Sequence, residues 1–532
     1  MAEEHVREIA KNASVVGGAT LVSRVLGFCR DMIVAHVLGA GPAADAFNVA
    51  FRLPNILRRL FAEGSMTMAF VPVFSDLREK HGNEAAFAMT RAAHVWLALI
   101  LGVITALALL FARPLTLAIA PGFANDATQL DLAVRLVRIC FPYILAMSLA
   151  ALCMGALNSM GHFLVPALAT SALNVFLIAG CVLAWFFHFD VPTTLAWAVV
   201  AGGIGQLAMQ EPVLRRFGFR WRGPWTFSDD GIKRMGRLML PTVFGAAIYQ
   251  INILVSTQLA SFLAKGSISA LYYADRLVQF PLGVFGVAVG TVALPSMAKL
   301  AASGRTEELK STLSASLRLT LFICLPATAG LAALAAPMVR ALFGHGAFTP
   351  EAARAATMAL LAYCVGLPAF ACVRPLVSAF YALHDTRNPV IAGFYSMLAN
   401  MVMGAALILP CKFMGLTGTG SLAAPINVRL LAGLALAVSL SSWLNVGILA
   451  LAFRKKTGAW FKYGRTTGIS VALSLLIGLG AWLTPVNKYL ALALIVVWAA
   501  LYMVLAMVFK VEEAMLLLGF IRKRLARISP KN

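Results

Sequence analysis

Apolar runs of about 18 residues or more recur along the whole chain, separated by short clusters of charged residues, glycine and proline. An α-helix needs about 20 such residues to cross the hydrocarbon core of a bilayer. About fourteen runs qualify, at roughly 13–37, 45–75, 87–112, 131–158, 163–187, 192–213, 237–263, 268–298, 312–341, 354–382, 389–410, 419–452, 466–484 and 489–509. Alternating polar and apolar stretches of about ten residues, the mark of a membrane β-barrel, are absent from the sequence. The pattern predicts an all-α integral membrane protein. The N-terminus has no short apolar core ending in a small-residue cleavage site, so the first span is expected to be retained.

One run breaks the apolar pattern in an ordered way. Within GPAADAFNVAFRLPNILRRLFAEGSMTMAFVPVF, the residues Asp45, Asn48, Arg52, Asn55, Arg59 and Glu63 follow at steps of three or four. On a helix they share one stripe, with Phe, Leu, Val and Met on the other faces. A charge at the centre of a spanning helix costs roughly 2.5–3.5 kcal/mol even on the mildest scale, so such residues normally face a bundle interior or a water-filled cavity. The planar guanidinium group suits phosphate.

Composition sharpens the class. The chain has 532 residues, 60% of them hydrophobic and 12% charged, with a mean hydropathy of +0.83. The net charge of +22 would suit a nucleic-acid partner, but its distribution argues for topology instead. With the N-terminus placed in the cytoplasm, one set of loops holds about 27 Lys and Arg and the other about 6, the bias of a positive-inside protein. This supports an even number of spans with both termini inside and removes nucleic acid as a partner. Eight cysteines, mostly within spans, show no metal or redox spacing and read as small core residues. The histidines are scattered, and neither a metal nor a cofactor is expected.

Comparison of the chain with itself shows a repeat at an offset of about 224 residues. AFRL at 50–53 returns as ADRL at 274–277, placing Arg52 on Arg276. Pro114 falls near Pro337 and Pro166 near Pro389. Several matches at one offset indicate duplication. The expected organisation is a six-helix half over 1–225, a second over 226–455, two additional helices over 456–510 and a cytoplasmic amphipathic tail over 511–532, its basic face toward anionic lipid. Transporters built from parallel repeats place their substrate between the halves and work by alternating access. A central cationic cavity is therefore expected. The glycines Gly283, Gly286 and Gly290, on the face of Arg276, are accounted for by helix packing.

The first span adds SRVLGFCRD, with Arg24 and Asp31 on one face and Ser23 and Arg30 on another. Ion pairs such as Arg24–Asp31 and Arg59–Glu63 could simply lock helices together, but buried pairs barely break even against apolar packing. Counting Arg24, Arg30, Arg52, Arg58, Arg59 and Arg276 against Asp31, Asp45, Glu63 and Asp275 leaves a surplus of two positive charges. The surplus points to an anionic ligand, and a diphosphate matches it.

The strings SRVLGFCRDMIVAHVLGAG, DAFNVAFRLPNILRRLFAEGSMTMAFVPVF and YYADRLVQFPLGVFGVAVGTVALP resemble the MurJ (MviN) lipid II flippases of the multidrug/oligosaccharidyl-lipid/polysaccharide exporter superfamily. The resemblance covers essentially the whole chain. It implies translocation of undecaprenyl-diphosphate bearing a disaccharide-pentapeptide from the inner to the outer leaflet of the bacterial cytoplasmic membrane, without making or breaking a covalent bond. It also implies that Ser23, Arg24, Arg30, Asn55, Arg58 and Arg276 contact the head group. Asp31, Asp45, Glu63 and Asp275 are then gating or ion-pair residues, and the last two helices form a groove for the lipid tail. Helix geometry favours Arg59 over Arg58, which is rotated about 100° from the stripe; the resemblance favours Arg58, with Arg52 and Arg59 as secondary candidates.

Three competing readings differ in what they require. A cation-coupled drug exporter should carry surplus acids, whereas the surplus here is basic. An exporter of another polyprenyl-diphosphate-linked saccharide shares the charge requirement and differs only in motifs. A scaffold for cell-wall synthesis proteins would tolerate loss of the arginines. The chain is expected to be a monomer and not an enzyme, because no nucleophile–base pair or phosphate-cradling loop appears.

Overall fold

The structure is a computed structural model describing residues 2–59, 66–224, 226–227, 230–283, 287–415, 422, 424–458, 464–484, 490–516 and 518–519. These residues form helices and their connections, with no strand among them. Nine helical stretches among the described residues are long and apolar enough to cross a membrane, Ala127–Ser159 and Leu164–Phe187 each counting as one, and Ala493–Val508 is a shorter apolar segment. The predicted spans that miss this criterion include those carrying the charged candidates of the first two spans and the YYADRL segment, because charge and interruption lower their hydropathy. The fold is a multi-pass helical membrane protein.

The helices group into two compact units. The first covers Met1–Ser269 together with Gly346–Phe348. It contains α1 (Ala2–Leu38), α2 (Pro42–Arg58), α3 (Met66–Leu110), α4 (Ala112–Ile119), α5 (Ala127–Cys140), α6 (Tyr143–Ser159), α7 (Leu164–Ala169), α8 (Ala172–Phe187), α9 (Val191–Arg216) and α10 (Asp230–Ala260). Two predicted spans are each two helices. Phe141 and Pro142 separate α5 from α6, and the turn at 170–171 separates α7 from α8. Glycine 82, at φ +81°, marks a kink where the first part of α3 meets its apolar second part. Helix α6 lies against α3 and α9, α8 against α9 and α1, and α2 against α5.

Helix α10, the first of the sequence-defined second half, packs with the first unit. It lies along α3, and Arg234 donates to Asp76 at 2.5 Å. The connection after α9 is folded back onto α3 by the buried Arg91. Its guanidinium donates to the carbonyls of Arg220 and Pro224 and to Glu84. Gly346 sits at φ +62°, a conformation that a side chain disfavours. A Cβ there would also stand 2.3 Å from the His36 carbonyl oxygen, which accepts from the Ala347 N–H at 2.8 Å.

The second unit covers Ala270–His345 and Thr349–Asn532, so the division falls inside α11 (Ser267–Pro281). It continues through α12 (Val287–Ala302), α13 (Thr306–Ala333), α14 (Ala335–Leu342), α15 (Pro350–Ala382), α16 (Arg387–Phe413), α17 (Pro425–Thr457), α18 (Arg465–Leu483) and α19 (Leu490–Val508). α15 is central, packed by α12, α13, α14 and α17. A Cβ on Gly366 would meet Ser439 Oγ at 2.6 Å, so the absence of a side chain is what brings α15 this close to α17. The final pair of helices is held by Tyr502, whose hydroxyl donates to the Phe322 carbonyl at 2.9 Å inside an apolar cluster with Leu473 and Ile477. Residues 520–532 of the expected amphipathic tail lie outside the described residues.

Candidate functional site

In the first unit the site begins on α1. Arg30 donates through Nε and Nη2 to Asp31 Oδ1, at 3.0 and 2.6 Å, and through Nη1 to Asn174 Oδ1 at 2.9 Å. Asn174, buried on α8, also donates through Nδ2 to the Ser23 carbonyl at 3.1 Å. One amide thus fixes both the backbone of α1 and the guanidinium group of Arg30. The Ser23 hydroxyl accepts from Thr170 at 3.3 Å. The sequence offered Arg24 as a partner for Asp31. Seven residues of rise is about 10.5 Å, and adjacent Arg30 takes the acid instead. Arg24 is exposed and has no partner among the described residues.

α2 supplies the second arginine. Arg58 Nε donates to Asn55 Oδ1 at 2.9 Å, and its guanidinium lies within electrostatic reach of Arg30, Arg59 and the Tyr143 phenol. Tyr143 is fully buried at the start of α6. Pro54 sits within the helix, and Arg59 closes it with its N–H directed to the carbonyls of Asn55 and Ile56. Arg30 and Arg58 thus lie within electrostatic reach of one buried phenol, with Arg59 beside Arg58 and Asp31 as the acid bonded to Arg30. Glu63 lies outside the described residues.

The earlier half of the α2 stripe does something else. Asp45, 2% exposed, accepts from the Gly266 N–H at 2.6 Å, the Ser269 N–H at 2.8 Å and the Ser269 hydroxyl at 2.7 Å. It therefore caps the N-terminus of α11, where unpaired N–H groups and the helix dipole favour an anion. Asn48 donates to the same Ser269 hydroxyl at 3.1 Å, and Arg52 donates to Thr257 of α10. Ser269 lies 224 positions from Asp45, the offset of the internal repeat. One stripe in sequence is two structures in space: a joint to α10 and α11, and a cationic cluster.

In the second unit Arg276 lies over the Tyr272 ring, 4.6 Å from its centroid, and Asp275 accepts from Gln279 one turn on. Of the residues that hold this constellation, sequence reasoning missed Asn174, Tyr143, Thr257 and Ser269. No local pattern in the sequence pointed to them; the repeat offset marks Ser269 as equivalent to Asp45, which does not by itself predict that the two bond.

Two acids in the connections hold their helices electrostatically. Asp126 accepts from Lys265 and from the Gln129 N–H at the start of α5, and these contacts keep its carboxyl below the usual range. At Asp385, burial alone would raise the pKa. Lys456 at 2.9 Å, the Asn388 N–H at 3.1 Å and the Asn388 side chain at 2.7 Å outweigh it and bring the value down to about 2.

Comparison with known proteins gives a consistent picture. The profile of the family described as "Lipid II flippase MurJ" matches residues 34–514. A "Probable lipid II flippase MurJ" of Rhizobium meliloti (strain 1021) is 39% identical over 430 residues, 80% of each chain. One of Vibrio cholerae serotype O1 is 35% identical over 515 residues, 92% of this chain and 96% of its own. A solved "Lipid II flippase MurJ, inward closed conformation" superposes with a TM-score of 0.75 at 27% identity, covering 93% of this chain and 98% of the other.

Proposed function

Because this chain belongs to the MurJ family of lipid II flippases, we propose that it carries lipid II, the undecaprenyl-diphosphate-linked peptidoglycan precursor, from the inner to the outer leaflet of the bacterial cytoplasmic membrane. The observation that carries this reading is the cationic cluster of the first unit. Among the described residues, Arg30, Arg58 and Arg59 stand against the acid Asp31, while Asp45 is engaged at α11. Surplus guanidinium charge inside an apolar bundle calls for an anion, and bidentate contacts to a diphosphate answer it. The reading gives Ser23, Arg24, Arg30, Asn55 and Arg58 head-group roles, with Arg276 as the head-group residue of the second unit. Asp31, Asp45, Glu63 and Asp275 exchange partners as access alternates, and α18 and α19 bound the groove for the lipid tail.

Adding α1, α2, α10, α11–α12 and α19 to the nine apolar stretches makes fourteen crossings, which leaves both termini in the cytoplasm. The transporter works as a monomer and serves the cell-wall synthesis proteins that use lipid II. Its basic surplus is the reverse of what a cationic drug requires. Depletion in a bacterium tests the proposal: lipid II should accumulate in the inner leaflet, wild-type protein should restore export, and Arg30→Ala or Arg58→Ala at equal abundance should not. Accumulation of another polyprenyl-diphosphate saccharide, with lipid II distributed normally, would assign a different cargo.

A further inference from the structure

The last third of α15 carries a polar stripe that none of the roles above uses. Arg374, Ser378 and Tyr381 follow at steps of four and three, so they share one face. Arg374 and Tyr381 are exposed and Ser378 is half-buried. The residues between them, Leu376, Ala379 and Phe380, are buried in a core with Leu313 and Leu317 of α13 and Phe453 of α17. Pro375, inside the stripe, has no N–H to offer the Ala371 carbonyl, which leaves a further polar group beside Arg374.

None of the three side chains is occupied: the Arg374 guanidinium and the Ser378 and Tyr381 hydroxyls have no hydrogen-bond or ion-pair partner among the described residues. The next acid along the chain, Asp385, is taken by Lys456 and by the N–H groups of Arg387 and Asn388. A guanidinium this far inside an apolar helix is costly unless it meets an anion or water. From Arg374 to Tyr381 the helix rises about 10 Å, enough for a phosphate at one end and a hydrogen-bonding substituent at the other. Arg374 lies eight residues, about 12 Å, from the end of α15, within reach of a lipid head group by extension of its side chain.

We propose that Arg374, Ser378 and Tyr381 form a binding site for a lipid-borne phosphate. Arg374 holds the phosphate, and the two hydroxyls hydrogen-bond the group attached to it. By the loop count this end of α15 is on the basic side of the chain, the side from which an inner-leaflet lipid would arrive. The phosphate belongs either to the polyprenyl-diphosphate cargo, an assignment that rests on the function proposed above, or to an anionic phospholipid of the bilayer, which does not.

The test is native mass spectrometry of the purified full-length protein titrated separately with undecaprenyl diphosphate and phosphatidylglycerol. Arg374→Gln should weaken binding about tenfold or more, the effect of losing a charge-assisted hydrogen bond, and Arg374→Lys should restore part of it. A loss confined to undecaprenyl diphosphate assigns the site to the cargo, and one confined to phosphatidylglycerol assigns it to the bilayer. Unchanged binding of both lipids by a variant with wild-type thermal unfolding overturns the site. Should Arg374→Gln fail to fold, the double variant Ser378→Ala, Tyr381→Phe is expected to weaken binding severalfold, and no change there overturns the site equally. Rescue of lipid II export by the wild-type protein is scored separately, so failure of the flippase reading is distinguishable from failure of the site.

Discussion

Asn174 lies 144 positions from Arg30 in sequence and 2.9 Å from it in space. It is the residue through which α8 orients the cationic cluster. Asn174→Ala leaves Arg30 tied to Asp31, whose carboxylate then turns the guanidinium away from an incoming diphosphate. The expected result is head-group affinity about tenfold lower, the value of one charge-assisted hydrogen bond. Titration with undecaprenyl diphosphate checks it, and thermal unfolding of the variant shows whether structure is retained. Asp385 gives a second test at this scale. Its folded pKa of about 2 lies below the ordinary value of about 3.9 for a free aspartate. Its stabilising effect is therefore fully present above about pH 4 and is lost as the pH falls toward 2. Asp385→Asn should lower the thermal midpoint at pH 7, and the gap to wild type should close as the pH drops through that window. A gap that stays constant down to pH 3 contradicts the assignment.

Among the helices, the joint between α2 and α11 carries the clearest energetic consequence. Asp45→Ala would leave the Gly266 and Ser269 N–H groups buried without an acceptor, a cost of roughly 1–3 kcal/mol. Asp45→Asn, which keeps one acceptor oxygen, should cost less. Thermal unfolding of the two variants in the same detergent should rank them in that order below wild type. The sequence announced the helices and most of the charged candidates here, because hydropathy and helical period are local properties. It did not reveal what each stripe residue bonds to, because Ser269, Thr257 and Asn174 lie 144 to 224 positions from their partners. Period alone treated Asp45, Arg52 and Asn55 as one face with one purpose. Asp45 and Asn48 bond to Ser269 at the start of α11 and Arg52 to Thr257 of α10, whereas Asn55 bonds to Arg58, and these different partners divide the face. Arg374, Ser378 and Tyr381 escaped notice for another reason: they stand in a helix so apolar that no period stands out.

For the whole molecule, the surplus of cationic groups connects structure to energetics. Two negative charges leaving a negative interior gain about 4–5 kcal/mol per 100 mV if they cross the full field. Membrane potential alone would then favour export and return the empty, positively lined carrier inward. Dissipating the potential should slow export several-fold, read as lipid II appearing in the outer leaflet of cells. The family match spans residues 34–514, and the cluster at Arg30 and Arg58 is the part of the structure on which the transport account depends. The most direct measurement is the movement of lipid II across vesicles reconstituted with purified protein, comparing wild type with the double variant Arg30→Ala, Arg58→Ala at equal incorporation. Wild-type protein should bring lipid II to the opposite leaflet and the double variant should leave it where it was loaded. Equal movement by both proteins would contradict the account.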